Sequence, residues 1–365
     1  MLIADRQRVM DFDFLVGPDE LRLSYQGQAG KLALRFGTDD NTDIAGWRDR
    51  ATCKLTELLG LDPLVEPGPV QQLRQTVDDD VVIKALRMHV DDTLSVPAYL
   101  LHRAGERPSN RAVVALHGHG EVESSLMVNG VTEDYHHHFA YRLAEAGHTV
   151  LVPELRGFGA LYDLALHRPG AALTYWRWGK AMPYTLLSDA FQRGHTLIGD
   201  TVEDLLRWER WLTEHLDIDQ IDAVGISFGG DLALTYPIYS HRVRSIFASG
   251  SLGSFEPVFA TCGNAPGHCI PGVLNWFDRA DIAGLNAPRP IALHYGERDT
   301  PGPDNGSAAY NETVPASINQ LRTIYRAAGA EAAISLTVSK DLGHEMDLAA
   351  LTNWLTRADT TVPPQ

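Results

Sequence analysis

The chain has 365 residues, of which 44% are hydrophobic and 21% charged, and its formal net charge is −16. This length can hold one large domain with an accessory segment, and the composition excludes a largely disordered chain. Nucleic acids and anionic membranes are not expected as partners, because both attract dense clusters of Lys and Arg that this acidic sequence lacks.

The N-terminal part, residues 1–75, is predicted to be a helical extension of the main domain. Apolar residues recur at helical spacing over residues 44–59, and Gly60 ends that helix. Three prolines between residues 63 and 69 form a stiff connector.

The main domain, residues 76–365, is predicted to be an α/β domain with a doubly wound, mostly parallel sheet. Alternating apolar residues first indicate two antiparallel strands. Apolar strands and amphipathic helices then alternate, which is typical of helices covering both faces of a parallel sheet. The main predicted elements are strands at 81–90, 94–101, 111–116 and 149–152, and helices at 139–146 and 201–216.

Two insertions, at about residues 160–198 and 251–280, interrupt this alternation. The first is a long loop whose aromatic content argues against disorder, and loops of that length are commonly functional. Both are expected to lie over the active site and to determine substrate choice. The candidate substrate-binding residues are Tyr162, Tyr175, Trp176, Trp178 and Tyr184.

The pattern G-I-S-F-G at 225–229 follows an apolar strand and precedes a helix. This is the context of a nucleophile elbow, a tight turn that exposes a serine and requires glycine on both sides of it. We predict that Ser227 is a nucleophile. The alternative for the motif alone is a strand-to-helix connection in which Ser227 caps the helix.

A serine nucleophile needs a base to take its proton and a carboxylate to orient that base. Asp299 ends a predicted strand and His344 follows a later one, so the order is Ser, Asp, His, as in α/β-hydrolases. We predict that Asp299 and His344 complete a triad with Ser227. The competing carboxylates are Asp304 and Glu345.

An oxyanion formed by attack on an ester needs preplaced N–H donors. The motif H-G-H-G at 117–120 predicts one donor, the backbone N–H of His119, and the backbone N–H of Phe228 is the predicted second donor. His117, His119 and Glu121 could instead bind zinc, but the position of the loop argues against this alternative.

Other polar residues are assigned structural roles. His136, His137 and His138 are interpreted as the solvated start of a helix. Arg156 is expected to form an ion pair with an acidic neighbour; contact with substrate is the alternative, because ligands bind at the carboxyl ends of such strands. Three cysteines, an odd number, fit a reducing compartment, and neither a disulfide nor a metal site is expected from Cys262, His268 and Cys269, whose spacing matches no zinc motif. With no signal peptide or membrane span in the pattern, we expect a cytoplasmic protein.

Several short motifs occur along most of the chain in a characteristic order. They are H-G-H-G at 117–120, R-G-F-G at 156–159, G-I-S-F-G-G at 225–230, A-P-R-P at 287–290, G-E-R-D at 296–299 and G-H at 343–344. Together they resemble the acetyl xylan esterase-like and dienelactone hydrolase-like α/β-hydrolases. The helix around Trp47 and the motif L-L-G-L at 58–61 resemble the N-terminal segment of the same group.

We expect a serine hydrolase that cleaves a carboxylic ester, a small acyl ester of a sugar or natural product, through an acyl-enzyme. A lactone, thioester or amide substrate, or acyl transfer to an alcohol, would use the same triad and stays open. A non-catalytic small-molecule binding protein is the alternative of a different class, since fold does not fix function. No cofactor or metal is expected, and the oligomeric state, a homo-oligomer included, is open.

Overall fold

The computed structural model describes Ser24 and residues 30–38, 41–106, 109–118, 134–158, 182–256, 266–299 and 309–361. Within these residues nine strands form one sheet in the order β1-β2-β3-β5-β4-β6-β7-β8-β9. The strands are β1 (Val70–Asp78), β2 (Val81–His89), β3 (Ser95–Arg103), β4 (Arg111–Leu116), β5 (Thr149–Pro153), β6 (Gln220–Ile226), β7 (Val243–Ser249), β8 (Ile291–Gly296) and β9 (Ile334–Ser339).

The sheet is antiparallel at one end and parallel through the rest. β1, β2 and β3 form a meander, and β3 joins the sheet antiparallel to β5, whereas β4 to β9 all run in the same direction. The carboxyl ends of the parallel strands therefore meet at one edge, where open α/β sheets bind their ligands. This topology confirms the predicted α/β fold with a mostly parallel sheet.

Helices cover both faces of the sheet. Within the described residues they are α1 (Ile44–Leu59), α2 (Phe139–Glu145), α3 (Met182–Phe191), α4 (Leu197–Leu216), α5 (Phe228–Thr235), α6 (Arg279–Gly284), α7 (Ala309–Ala327) and α8 (Leu348–Thr361). Side chains of β4 alternate between two cores: Val114 and Leu116 pack in the core that contains α1, α4 and α5, and Val113 and Ala115 pack with α2 and α8. None of the helices in the described ranges has the length and apolar character needed to cross a bilayer.

The N-terminal helix α1 is part of the larger core. It begins after Asp43, whose carboxylate accepts hydrogen bonds from backbone N–H groups of the first turn, and it ends at Gly60, which has a φ of 63°. Trp47 is fully buried, and its indole N–H donates to Leu34 O at 2.7 Å. The boundary expected near residue 75 falls inside β1, a strand that the sequence analysis did not predict because its residues are mostly polar and exposed.

The first insertion is not one continuous loop. α3 lies within it, and α4 begins at Leu197, four residues earlier than predicted, with Thr196 Oγ1 accepting a hydrogen bond from Gly199 N–H at 3.0 Å. The second insertion contains two short 3₁₀ helices, Pro266–His268 and Val273–Asn275, and the beginning of α6. The aromatic residues that suggested a loop thus belong in part to helical segments.

Candidate active site

The elbow turn is built as its sequence predicts. Ser227 lies between the end of β6 and the start of α5 with φ 57° and ψ −122°, a backbone conformation that a residue with a side chain rarely adopts. Its N–H donates to Ser249 O at 2.9 Å, which ties the turn to the end of the neighbouring strand β7. Ser227 as a whole residue is 9% exposed.

Two glycines allow this turn because backbone atoms crowd against them. A Cβ at Gly225 would lie 2.0 Å from Gly229 O, and one at Gly229 would lie 2.1 Å from Leu116 O. Both distances are far shorter than a non-bonded contact allows, and the opposing atoms are backbone atoms that cannot turn away. The elbow therefore requires glycine on both sides of the serine.

Gly225→Ala is expected to lower the free energy of unfolding by about 3 kcal/mol or more, since the added methyl group forces strand and helix apart. Chemical denaturation followed by circular dichroism measures this change. Gly343→Ala is the matched control, because its Cβ would meet no atom closer than 3.9 Å. Equal stability of the two variants would contradict this account of the turn.

The structure brings Asp299 and His344 together from the ends of two adjacent strands. Asp299 follows β8, His344 follows β9, and Asp299 Oδ2 lies 2.7 Å from His344 Nδ1. A carboxylate accepts the Nδ1 proton, so Nε2 keeps its lone pair. Asp299 is 1% exposed, so this hydrogen bond is shielded from water.

The ring of His344 rests on the backbone beside the elbow. A Cβ at Gly250 would lie 2.6 Å from His344 Cε1, and Gly250 follows Ser249, the residue that accepts the Ser227 N–H. Nε2 is buried and has no hydrogen-bond partner among the described residues, so it makes no bond to Ser227 Oγ. Catalytic hydrogen bonds are often long in ligand-free enzymes and tighten only when substrate binds.

The prediction that His136, His137 and His138 form a solvated helix start is wrong for two of the three. His136 is fully buried, with Nδ1 against the Asp134 carboxylate and Nε2 accepting the Gly118 N–H at 2.9 Å. His138 is also buried, whereas His137 is part-exposed. Nothing in the local sequence pattern indicated this burial, because it depends on contact with the loop after β4.

The rival carboxylate Glu345 is held away from His344. Its side chain accepts hydrogen bonds from His137 Nε2 at 2.7 Å and from Gly343 N–H at 2.9 Å. These bonds lower the pKa of Glu345. Asp304, the other competitor, lies outside the described residues.

Tyr135 is a site residue that the sequence analysis missed. A Cβ at Gly118 would lie 2.2 Å from the Tyr135 hydroxyl and 2.8 Å from Ser227 Cβ, so the phenol lies beside the elbow. The ring centroid of Tyr135 is 5.6 Å from that of His344. Tyr135 therefore lines the site between the loop after β4 and the histidine, and its only sequence signal is its place beside the histidine stretch.

The structure describes one of the two residues predicted to donate to the oxyanion, Phe228. Phe228 is the first residue of α5, and the first N–H groups of a helix have no partner inside it and lie at the positive end of the helix dipole. The backbone N–H of Phe228 thus starts beside Ser227. His119 lies outside the described residues.

A buried ionic cluster contacts α5 through Asp231, a residue in the first turn of that helix. Asp231 accepts hydrogen bonds from Ser251 Oγ at 2.5 Å, from the His268 ring and from the Arg279 guanidinium. Burial alone would raise the pKa of Asp231, but Arg279 and His268 hold it well below its ordinary value. The ring of His268 also packs edge-on against Phe228, with centroids 4.9 Å apart. The second insertion is thereby fixed to the helix that carries the elbow, a role for His268 that the sequence did not indicate.

Arg156 forms the ion pair that the sequence analysis expected. Its Nε and Nη2 donate to the two carboxylate oxygens of Asp204 on α4 at 2.7 and 2.9 Å, and Nη1 lies 3.2 Å from Asp200 Oδ2. Burial would lower the pKa of Arg156, but these carboxylates raise it above its ordinary value. The guanidinium therefore anchors the loop after β5.

The remaining candidates lie beyond what the structure describes. Tyr162, Tyr175, Trp176 and Trp178 fall outside the described residues, and for Tyr184 the structure describes only its place in α3. Two members of the zinc alternative, His119 and Glu121, also fall outside. Within the described ranges, no group of three or more His, Cys, Asp or Glu is arranged to hold a metal ion.

Solved structures share this architecture at low sequence identity. A candidate acetyl xylan esterase from Bacteroides fragilis superposes with a TM-score of 0.71 at 12% identity, over 96% of this chain and 97% of that protein. A glucuronoyl esterase from Solibacter usitatus gives 0.57 at 12% identity, over 92% and 99%. An acetyl xylan esterase from Paenibacillus sp. R4 gives 0.53 at 16% identity, over 95% and 100%.

The sequence itself can be compared with known families. No curated protein matches it. The model of the family described as the alpha/beta hydrolase fold matches residues 111–294, from the first residue of β4 into β8. Since this match covers about half of the chain and the sheet agrees with it, the protein belongs to the alpha/beta hydrolase fold family.

Proposed function

We propose that the protein is a serine hydrolase that cleaves a carboxylic ester through an acyl-enzyme. The observation that carries the proposal is the hydrogen bond between Asp299 and His344 Nδ1, which leaves the Nε2 lone pair available beside an elbow serine. In this proposal Ser227 is the nucleophile, His344 the general base and Asp299 the residue that orients the base.

The proposed reaction has two halves. Ser227 Oγ attacks the ester carbonyl while His344 Nε2 takes its proton, and the imidazolium then protonates the leaving alcohol. Water, activated by the same nitrogen, hydrolyses the acyl-serine and restores the hydroxyl. The backbone N–H groups of Phe228 and His119 are the proposed donors to the oxyanion of both tetrahedral intermediates.

The proposed substrate class is an ester on a carbohydrate or a related natural product, with a small acyl group. The proteins of similar fold named above are called acetyl xylan esterases and glucuronoyl esterases, which supports an oxygen ester attached to a sugar. The net charge of −16 makes a neutral ester a better candidate than a polyanionic one. Small-molecule ester hydrolysis needs no metal or cofactor in this mechanism.

A fluorophosphonate probe tests the proposal, because it phosphonylates only a serine that a base has activated. We expect stoichiometric labelling, and peptide mapping by mass spectrometry should place the label on Ser227. Heat-unfolded protein is the control and should not react. Absence of labelling in the folded protein, or a label on another residue, would contradict the proposed nucleophile and favour a non-catalytic binding protein.

A substrate panel identifies the bond. Acyl esters of graded chain length, including acetylated sugars, are compared with a lactone, a thioester and an anilide by kcat/KM, with and without an added alcohol. We expect the short acyl esters to give the highest kcat/KM and water to be the main acceptor. A higher value for another bond type, or ester product formed with the alcohol, would reassign the activity among the alternatives that use the same triad.

A further inference from the structure

A second Asp–His pair lies beside the proposed triad and holds the backbone of the loop after β4. Asp134 contacts His136 Nδ1, so that nitrogen carries the proton, and His136 Nε2 accepts the Gly118 N–H at 2.9 Å. The ring of His136 is fully buried. This geometry admits only the neutral ring with the proton on Nδ1, because a protonated Nε2 could not accept from an N–H.

The carbonyl of the same residue is held from the other side. His117 Nδ1 lies 2.8 Å from Gly118 O and donates to it, while His117 Nε2 accepts the Leu155 N–H at 3.2 Å. Gly118 thus has its N–H fixed by His136 and its C=O fixed by His117. Gly118 is also close to the elbow, because a Cβ on it would lie 2.8 Å from Ser227 Cβ.

We propose that His136, oriented by Asp134, is a positioning residue that holds the Gly118 backbone in its catalytic position beside Ser227. The inference rests on the proposed function, in which the donor that follows Gly118 stabilises the oxyanion. His136 does not touch the reacting atoms. It acts through the backbone, and without its hydrogen bond Gly118, the residue before the proposed oxyanion donor, loses one of the two histidine side chains that hold it.

The surroundings of His136 keep its ring neutral. Burial lowers the pKa of His136, against the opposing effect of Asp134, and the nearby rings of His117 and His344 act in the same direction as burial. The ring of Tyr135 also packs on that of His136, with centroids 4.0 Å apart. Acidification below the ordinary range of histidine therefore protonates Nε2 and breaks its bond to the Gly118 N–H.

A pair of variants separates the hydrogen bond from the volume of the ring. His136→Leu fills the space without an acceptor, whereas His136→Gln keeps an acceptor oxygen at every pH. The readouts are kcat and KM for p-nitrophenyl acetate and the inhibition constant of phenylboronic acid, which forms a tetrahedral adduct with an active serine. In His136→Leu we expect kcat and the affinity for phenylboronic acid to fall by about 10²-fold, the effect of a lost oxyanion donor, with KM little changed.

His136→Gln should recover most of this loss. Its kcat/KM should also fall less steeply than that of the wild type in acid, because glutamine has no ring nitrogen that acid can protonate. Val202→Ala, a truncation in the buried face of α4, controls for general destabilisation and should lower the melting temperature without this change in phenylboronic acid affinity.

Asp134→Asn is the second test and serves if His136→Leu does not fold. The asparagine amide can donate to Nδ1 and move the ring proton to Nε2, so we expect the same loss of kcat and of phenylboronic acid affinity. If the folded variants keep the wild-type kcat and phenylboronic acid affinity, and fluorophosphonate still labels Ser227, the inference is wrong. Failure of that labelling would instead overturn the proposed function.

Discussion

Ser227→Ala is expected to lower kcat for p-nitrophenyl acetate by a factor of about 10⁴ to 10⁶, because the variant has no oxygen to form an acyl-enzyme. The fold should be unaffected, since alanine has the same backbone and the strained φ of 57° at this position is imposed by the surrounding turn. Steady-state kinetics with purified protein measures the loss, and circular dichroism confirms folding.

Ser109→Ala is the matched control for this variant. Ser109 is exposed and precedes β4 at the amino end of the strand, at the edge of the sheet opposite the elbow. Its hydroxyl forms hydrogen bonds with the backbone of Arg111. Its kcat should equal that of the wild type. Comparable activity in Ser227→Ala and Ser109→Ala would show that the elbow serine is not the nucleophile.

Asp299→Asn is expected to lower kcat by about 10⁴-fold with little change in KM. The amide NH₂ of asparagine can donate to His344 Nδ1, which stabilises the tautomer with the proton on Nε2. That tautomer cannot take the proton of Ser227. The result would show that Asp299 acts by fixing the ring proton and not by packing alone, since asparagine nearly preserves its shape.

Asp341→Asn provides the comparison for the acid. Asp341 lies in the loop before His344, its side chain is 62% exposed, and it pairs with Arg298 at 2.5 Å. An exposed ion pair contributes little, so this variant should keep wild-type kcat. If kcat falls no further in Asp299→Asn than in Asp341→Asn, the role proposed for Asp299 is wrong. Asp304 would then be the next candidate for the acid.

The fold and the elbow could be predicted because their signals are local. Apolar strands alternate with amphipathic helices along the chain, and each predicts its own element and burial. The motif around Ser227 is local as well. Within five residues, glycine occurs at Gly225 and Gly229, the two positions where a Cβ would clash with backbone atoms. Asp299 and His344 were found by their order after strands, which places both at the same edge of a parallel sheet.

The supporting contacts could not be predicted because they join residues distant in sequence. His136 is buried where it bonds to Gly118, which is 18 residues away in sequence. The cluster of Asp231, His268 and Arg279 combines side chains from α5 and the second insertion. From the sequence alone, a histidine next to two others is interpreted as polar surface. Its burial is visible only in the fold, which places a buried hydrogen-bond partner beside it. β1 was missed for the opposite reason, because its exposed polar residues carry no apolar alternation and pairing with β2 alone makes it a strand.

Trapping the acyl-enzyme would show whether Ser227 carries the acyl group during turnover. The enzyme is mixed with a p-nitrophenyl ester of a bulky acid that is slow to deacylate, quenched in acid within the burst phase and digested for peptide mapping. We expect a stoichiometric burst of p-nitrophenol and one acyl group on Ser227, with neither in Ser227→Ala. An acyl group on another residue, or a burst of equal size in Ser227→Ala, would contradict it.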